Sequence, residues 1–242
     1  MAVSTNTHAE GDTTIAAATC AHAEGMMSGA LGIASHAEGG GSGSTIRLTG
    51  NANATVYTVT TNLSSVAIND YVMSQSTNFG KVIAIDTTNS TITLNKTLIE
   101  ALENSNVQVY KSYAAGNYSH IEGLANITSE KAQHAQGIYN ANIIPSYTTW
   151  TANTSYNIGD YVYKSYEYYK CIEANSDASW TASKWKKVAA LGFADMVGNG
   201  SSHTQRSNAY ALDWEGNGFY NGYVYVGCNS DSTGGTRLPH DV

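Results

Sequence analysis

His8-Ala9-Glu10-Gly11, His22-Ala23-Glu24-Gly25 and His36-Ala37-Glu38-Gly39 follow one another at intervals of fourteen residues. The phrase returns at the same interval as His120-Ile121-Glu122-Gly123 and His134-Ala135-Gln136-Gly137. Fourteen residues cannot enclose a core, so each copy reads as one rung of a stack. At about 3.3 Å per strand residue, a rung accommodates two strands of four or five residues and two turns. Aligned on His, the second column holds Ala or Ile, which suits a tight interior. The fourth column is always Gly, which suits a corner where φ is positive or backbones approach closely. The repeat therefore predicts an all-β protein, a β-roll or β-solenoid of 14-residue coils. So thin a coil buries little, and a homotrimer is expected to supply the missing core.

Composition agrees with this reading. Only 13% of the 242 residues are charged and two are proline, against 23 glycines and 17 tyrosines. Turn and strand formers prevail over helix formers. The formal charge of −7, with no basic stripe, argues against nucleic acid as a partner. No apolar run approaches eighteen residues and no signal peptide starts at Met1, so membrane insertion is not expected. Cys20, Cys171 and Cys228 are too few and too scattered for a disulfide framework or a metal-ligand spacing, and read as buried free thiols.

The histidine column raises the question of metal binding or a pH switch. Successive histidines fall one coil apart rather than in a chelating cluster, and a Glu follows in nearly every copy. The expectation is a structural His–Glu ladder, with no metal and no cofactor.

Outward from the repeats, the chain divides into five parts: β-roll repeats at 1–44, an inserted small β-barrel or sandwich at 45–112, resumed repeats at 113–142, an aromatic-rich module at 143–190, and a C-terminal β segment at 191–242. Gly39-Gly40-Gly41-Ser42-Gly43-Ser44 reads as a flexible exit. The insert alternates as strands around Thr55–Val59, Asp70–Met73, Lys81–Ile85, Thr91–Leu94 and Val107–Tyr110, with a turn at Asp86–Ser90. Asp70 and Asp86 read as turn residues. The fifth copy of the phrase decays at Ile143-Ile144-Pro145. Near the end, Gly200-Ser201-Ser202-His203 reads as a last degenerate rung. Asp213-x-Glu215-Gly216-Asn217 reads as a turn between two strands, the second running towards Gly222–Gly227, hence a hairpin.

Between Trp150 and Trp185 stand three Trp and six Tyr in otherwise small polar sequence. Exposed aromatic faces stack on the C–H surfaces of sugar rings while polar neighbours read the hydroxyls. Trp180 and Tyr166, in loops, are the leading candidates for such a platform; Trp150, Trp185 and Tyr168 complete the candidate set, with Trp150 and Trp185 equally explicable as core. No Gly-x-Ser-x-Gly elbow, His-Glu-x-x-His helix or phosphate-cradling loop occurs, so no catalytic residue is assigned and the chain is expected not to be an enzyme.

Two resemblances extend the reading. The coils resemble those of trimeric autotransporter adhesin heads and, more closely, the Ser-His-Ala-Glu-Gly repeats of bacteriophage tail appendage proteins, a phrase intact at Ser35–Gly39. This resemblance implies a homotrimeric, virion-borne fibre partnered by other tail or baseplate proteins. The segment Trp150, Tyr156, Gly159-Asp160-Tyr161-Val162, Tyr169-Lys170-Cys171 and Trp185 resembles small carbohydrate-binding modules of the chitin- and cellulose-binding type, without the proline usual before the last Trp. It implies a host-surface glycan as ligand. A receptor-binding tail fibre is thus the leading expectation; a purely structural spacer or a bacterial surface adhesin are the alternatives.

Overall fold

The computed structural model describes residues 1–41, 43–75, 78–221, 224–226 and 236–238, with side chains excepted at 75, 78–79, 224–226 and 236–238. Ser42, Gly222-Tyr223, Cys228 and residues 239–242, on which parts of the sequence reading fall, lie outside the described residues. The chain is all-β and forms two compact units, Met1–Ala141 with Val197–Ala209, and Asn142–Met196 with Tyr210–Val242.

In the first unit, the strands His8–Asp12, His22–Met26, His36–Ala37, His120–Ile121 and His134–Ile138 lie parallel in that order. They pair His to His and Ala (or Ile) to Ala. A second parallel sheet, Ile15–Ala16, Gly29–Ala30, Tyr113–Ala114 and Ile127–Thr128, closes the other side of the coil. These second strands have two residues each, shorter than the four or five expected. The remainder of the coil goes into bends. Each coil takes positive φ two residues before His (Cys20 59°, Tyr118 59°) and at the Gly (Gly25 99°, Gly123 90°), and every coil but the third, which the barrel interrupts, does so again two residues after the Gly (Met27 52°, Ala125 53°).

Only the middle bend demands glycine. The outer two fall in the αL well that ordinary residues visit at modest cost. At Gly25, φ lies outside that well, and an added Cβ would collide with the carbonyl oxygen of Gly39 in the next coil. Every coil repeats this contact, which explains the unvarying fourth column. Side chains close the turns. Ser35 Oγ donates to Gly32 O and Ser119 Oγ to Gly116 O, both at 2.7 Å, while Ser28 Oγ donates to Glu24 O at 2.9 Å. Carbonyls that the ladder cannot reach are thereby satisfied. The interior is a single layer of small residues, Ala23, Ala37, Ile121 and Ala135 facing Ile15, Ala16, Ala30 and Ala114, all essentially inaccessible.

The third coil is interrupted at its corner. The chain leaves after Gly41, builds a closed six-stranded antiparallel barrel, and returns at Tyr113, which pairs with Gly29 as the next rung requires. Around the barrel the order is Thr91–Leu94, Val56–Thr61, Gly43–Gly50, Leu102–Tyr110, Tyr71–Gln75 and Asn78–Asp86. Alternation sends Ile46, Leu48, Tyr57, Val59, Ile92, Leu94, Val107 and Val109 inward. Each fully buried aliphatic contributes about 1.5–3 kcal/mol, so this core is far richer than that of the roll. Closure leaves no sheet edge for aggregation.

Two expectations are corrected here. The residues expected to form a flexible exit belong to the two sheets where they are described: Gly40 bridges Met26 and Leu124 within the roll, and Gly43 and Ser44 pair with Tyr110 and Val109 in the barrel. Asp86 does serve its turn, accepting the N–H groups of Thr88 and Asn89, but Asp70 does not merely turn the chain. It is buried and paired with Lys111 at 2.6 Å, and it accepts the Ala67 N–H at 2.8 Å. Burial pushes the Asp70 carboxyl up, against the pull of Lys111. This pair sits where barrel meets roll, beside the contact of Ile15 with Met73 and Tyr110.

After the fifth rung, Gly198 stands against Gly137 as another coil glycine would. His203 is not in the histidine column; it lines a small cavity with Asp70, Tyr113 and Arg206. Arg206 closes this end of the roll by donating to the carbonyls of Ala125 (2.7 Å) and Lys111 (2.9 Å). In the second unit, Leu212 pairs with Gly218 in the hairpin that the Asp213–Asn217 turn predicts. Of the cysteines, Cys171 is buried, but Cys20 is exposed, because its position is an outward αL corner. Among the described residues no helix is long and apolar enough to cross a membrane.

Candidate functional site

Residues 142–196 contain a four-stranded sheet: Tyr147–Thr149 parallel to Tyr161–Lys164, which is antiparallel to Glu167–Cys171, itself antiparallel to Trp185–Val188. The period of two sorts the aromatics onto opposite faces.

One face carries the core of Tyr156, Val162, Cys171 and Trp185, with Trp150, Tyr169 and Trp180 packed partly buried against it. The Trp180 ring stacks on Trp185 (5.1 Å, 16°) and meets Trp150 edge-on (5.6 Å, 89°). Trp185 is 6% exposed and therefore a core residue with no face free for a ligand. Trp150 and Trp180 keep part of their surface, and Lys164 lies over both, its Nζ 5.2 Å from the Trp180 centroid and 5.7 Å from Trp150. Burial pushes the Cys171 thiol up, so it is an inert core group.

Tyr168 lies on the other face, beside Tyr147 and Tyr163, both at 5.1 Å between centroids. On that face Glu215 pairs with Lys186 (2.8 Å) and Lys170 (3.2 Å), whose hydrogen bonds hold its carboxyl below the usual range.

Tyr166 belongs to neither cluster. Lys164 pairs with Glu167, so Ser165 and Tyr166 form a two-residue hairpin tip with φ of 53° and 68°. That geometry favours Asn-Gly. Tyr166 takes the αL conformation that several coil residues also take, here at a loop tip, and it is 92% exposed. The sequence candidates are thus divided: Trp150, Trp180 and Trp185 come together, Tyr168 sits behind them, and Tyr166 projects alone.

Sequence reasoning missed three participants. Lys164 is two residues from buried Val162, and strict alternation from Val162 would have placed it on the tryptophan face. Tyr147 and Tyr161 wall a trough of about 250 Å³ with Ser146, Thr148, Thr154, Ser155, Tyr156 and Asp160. No motif signals that trough, because its walls come from a strand pair and a loop brought together only by folding.

No protein-family model and no curated protein matches the chain. Among solved structures, the tailspike protein gp49 from Pseudomonas phage LKA1 is similar over 62% of this chain at 12% identity and a TM-score of 0.26. The gp54 tailspike of Acinetobacter baumannii bacteriophage AP22, solved in complex with A. baumannii capsular saccharide, is similar over 59% at 8% identity and a TM-score of 0.24. The chain spans 30% and 27% of the lengths of those two chains.

Proposed function

We propose that this chain is part of a host-attachment fibre of a phage or phage-derived particle, in which a β-roll shaft displays a glycan-binding module and no chemistry is performed. Tyr166 carries the reading. A tyrosine at a hairpin tip and 92% exposed adds almost no buried surface to the fold. A large aromatic side chain presented to solvent in this way is suited to contact with something outside the fold. The open edges of Trp150 and Trp180, with Lys164 across them, offer a second aromatic surface suited to a sugar ring bearing an acidic group.

The roll supports a trimeric assembly, since its one-layer alanine core buries little within a single chain. Three weak sugar sites gain avidity on a dense glycan. The decisive experiment is a panel of bacterial surface polysaccharides and chitin, probed with the purified chain alongside light scattering. Retention by one glycan class, at a mass near three chains, is the expected result. A monodisperse single chain that stains no polysaccharide and no cell would leave a spacer as the better description.

A further inference from the structure

The outward face of the histidine strands carries two parallel columns. His8, His22, His36, His120 and His134 stack with centroids 4.7–5.1 Å apart. Beside them Glu10, Glu24, Glu38 and Glu122 line an open trough of about 550 Å³ floored by the coil glycines. Spacing along the sequence suggested that no chelating group forms. Folding changes this, because a strand places Glu two residues after His on the same face, and stacking brings the next His to its other side.

The rung between the third and fourth coils shows the consequence. One Glu38 oxygen lies 3.9 Å from His36 Nε2, and the other lies 3.6 Å from His120 Nε2. The ligand atoms of the three residues all fall within 4.8 Å of one another. Both Nε2 atoms are shielded from solvent and find no hydrogen-bond partner among the described residues. A shielded imidazole nitrogen with nothing to bond is costly and calls for an explanation. The distances are too long for direct hydrogen bonds yet suit a shared cation: two metal–ligand bonds of about 2.1 Å span up to roughly 4.2 Å. Each N···O separation falls inside that span but uses a different Glu38 oxygen, so a cation shared by both imidazoles is held by the carboxylate through both oxygens, with modest closure of the stack.

We infer that His36 Nε2, His120 Nε2 and Glu38 form a transition-metal site of the zinc class. Two imidazoles and one carboxylate favour Zn²⁺, Co²⁺ or Ni²⁺ over Ca²⁺ or Mg²⁺. The cation also offsets the repulsion of carboxylates stacked one coil apart. Its place in the fold has a purpose. His36 and His120 are neighbours in space but are joined through the whole barrel, so this is the rung where the chain does least to hold the roll together. A metal here clips the two halves of the shaft across the insertion.

The test uses the full chain without a histidine tag, stripped with chelator and titrated with Co²⁺ and Zn²⁺. One equivalent of Co²⁺ with visible d–d absorption, displaced by Zn²⁺, and a rise in Tm with Zn²⁺ but not Ca²⁺ are expected. Glu38→Gln and His120→Asn should each weaken Zn²⁺ binding at least tenfold, whereas His8→Asn, in the exposed first coil, should not. Circular dichroism of the stripped variants checks that they are folded. Absence of Co²⁺ and Zn²⁺ binding by the unmodified chain overturns the site, whatever the variants do. So does a Zn²⁺ affinity unchanged by Glu38→Gln, or a Tm that responds to Ca²⁺ alone.

Discussion

The imidazoles of His36 and His120 stack 4.7 Å apart with planes 6° from parallel, although a complete barrel separates them in sequence. The register of the roll therefore survives the insertion without the loss of a rung. This follows from where the interruption falls, at a corner after Gly41, so that Tyr113 resumes the second sheet beside Gly29.

The coil glycines give the sharpest stability prediction. Gly25→Ala meets both an unfavourable φ and the carbonyl of Gly39, and should cost about 3 kcal/mol or more. Gly159 has a similar φ of 97° with nothing within 4 Å of an added Cβ; Gly159→Ala should cost only about 1–2 kcal/mol, the backbone strain alone. Urea denaturation of the two variants compares them. Equal losses would show that strain, not the contact between coils, fixes the glycine column.

At the barrel–roll junction, Lys111→Met strands a buried Asp70 and should destabilise by about 3–5 kcal/mol. Adding Asp70→Asn to that variant should restore much of the loss, because the amide oxygen still accepts the Ala67 N–H and no charge remains buried. Thermal melts of the single and double variants decide the matter; a double variant worse than the single would contradict it.

Tyr166→Gly should raise stability by about 1 kcal/mol, since Gly adopts a φ of 68° without strain, and should abolish or sharply weaken glycan retention. Opposite signs in Tm and binding are the signature of a residue kept for recognition. A variant that is stabilised and binds as before would remove Tyr166 from the site.

The histidine ladder sets a pH dependence in metal-free buffer. Burial, followed by His36 and His134, holds His120 below its ordinary value, against the pull of Glu122. The native state thus takes up this proton less readily than the unfolded chain. Stability from His120 is complete above about pH 6.5 and falls as pH drops through that value. His203 shifts in the same direction, through burial first and then Lys111. Glu38 is pushed up, by burial and by a hydrogen bond with Glu24, and so works oppositely, regaining stability as pH falls towards 4.5. Tm should therefore decline between pH 7.5 and about 5.5, and His120→Gln should flatten that decline. A profile identical in the variant would assign the effect to other groups.

The coil and its glycine were legible in the sequence because a repeat displays one environment five times over. The two-residue second strands were not, since the bends at Cys20 and Met27 carry no glycine to announce them. Asp70 looked like a turn residue because its partner, Lys111, is distant in sequence and joins it only when the barrel closes. The tryptophans were visible as a cluster, but which of them keeps an open face depended on stacking: Trp180 covers Trp185. His36 and Glu38 were read as a ladder step, and only the fold showed His120 on the far side of the same carboxylate.

The barrel begins at Gly43 and ends at Tyr110, and these two residues are paired neighbours on adjacent strands. Entry and exit thus lie about 5 Å apart, little more than one rung of the roll. A domain whose ends meet in this way, and which covers Ile15 as Met73 and Tyr110 do, fits the barrel's place. The corner after Gly41 is a socket, and the chain is laid out so that its cargo can be exchanged while the shaft is inherited unchanged.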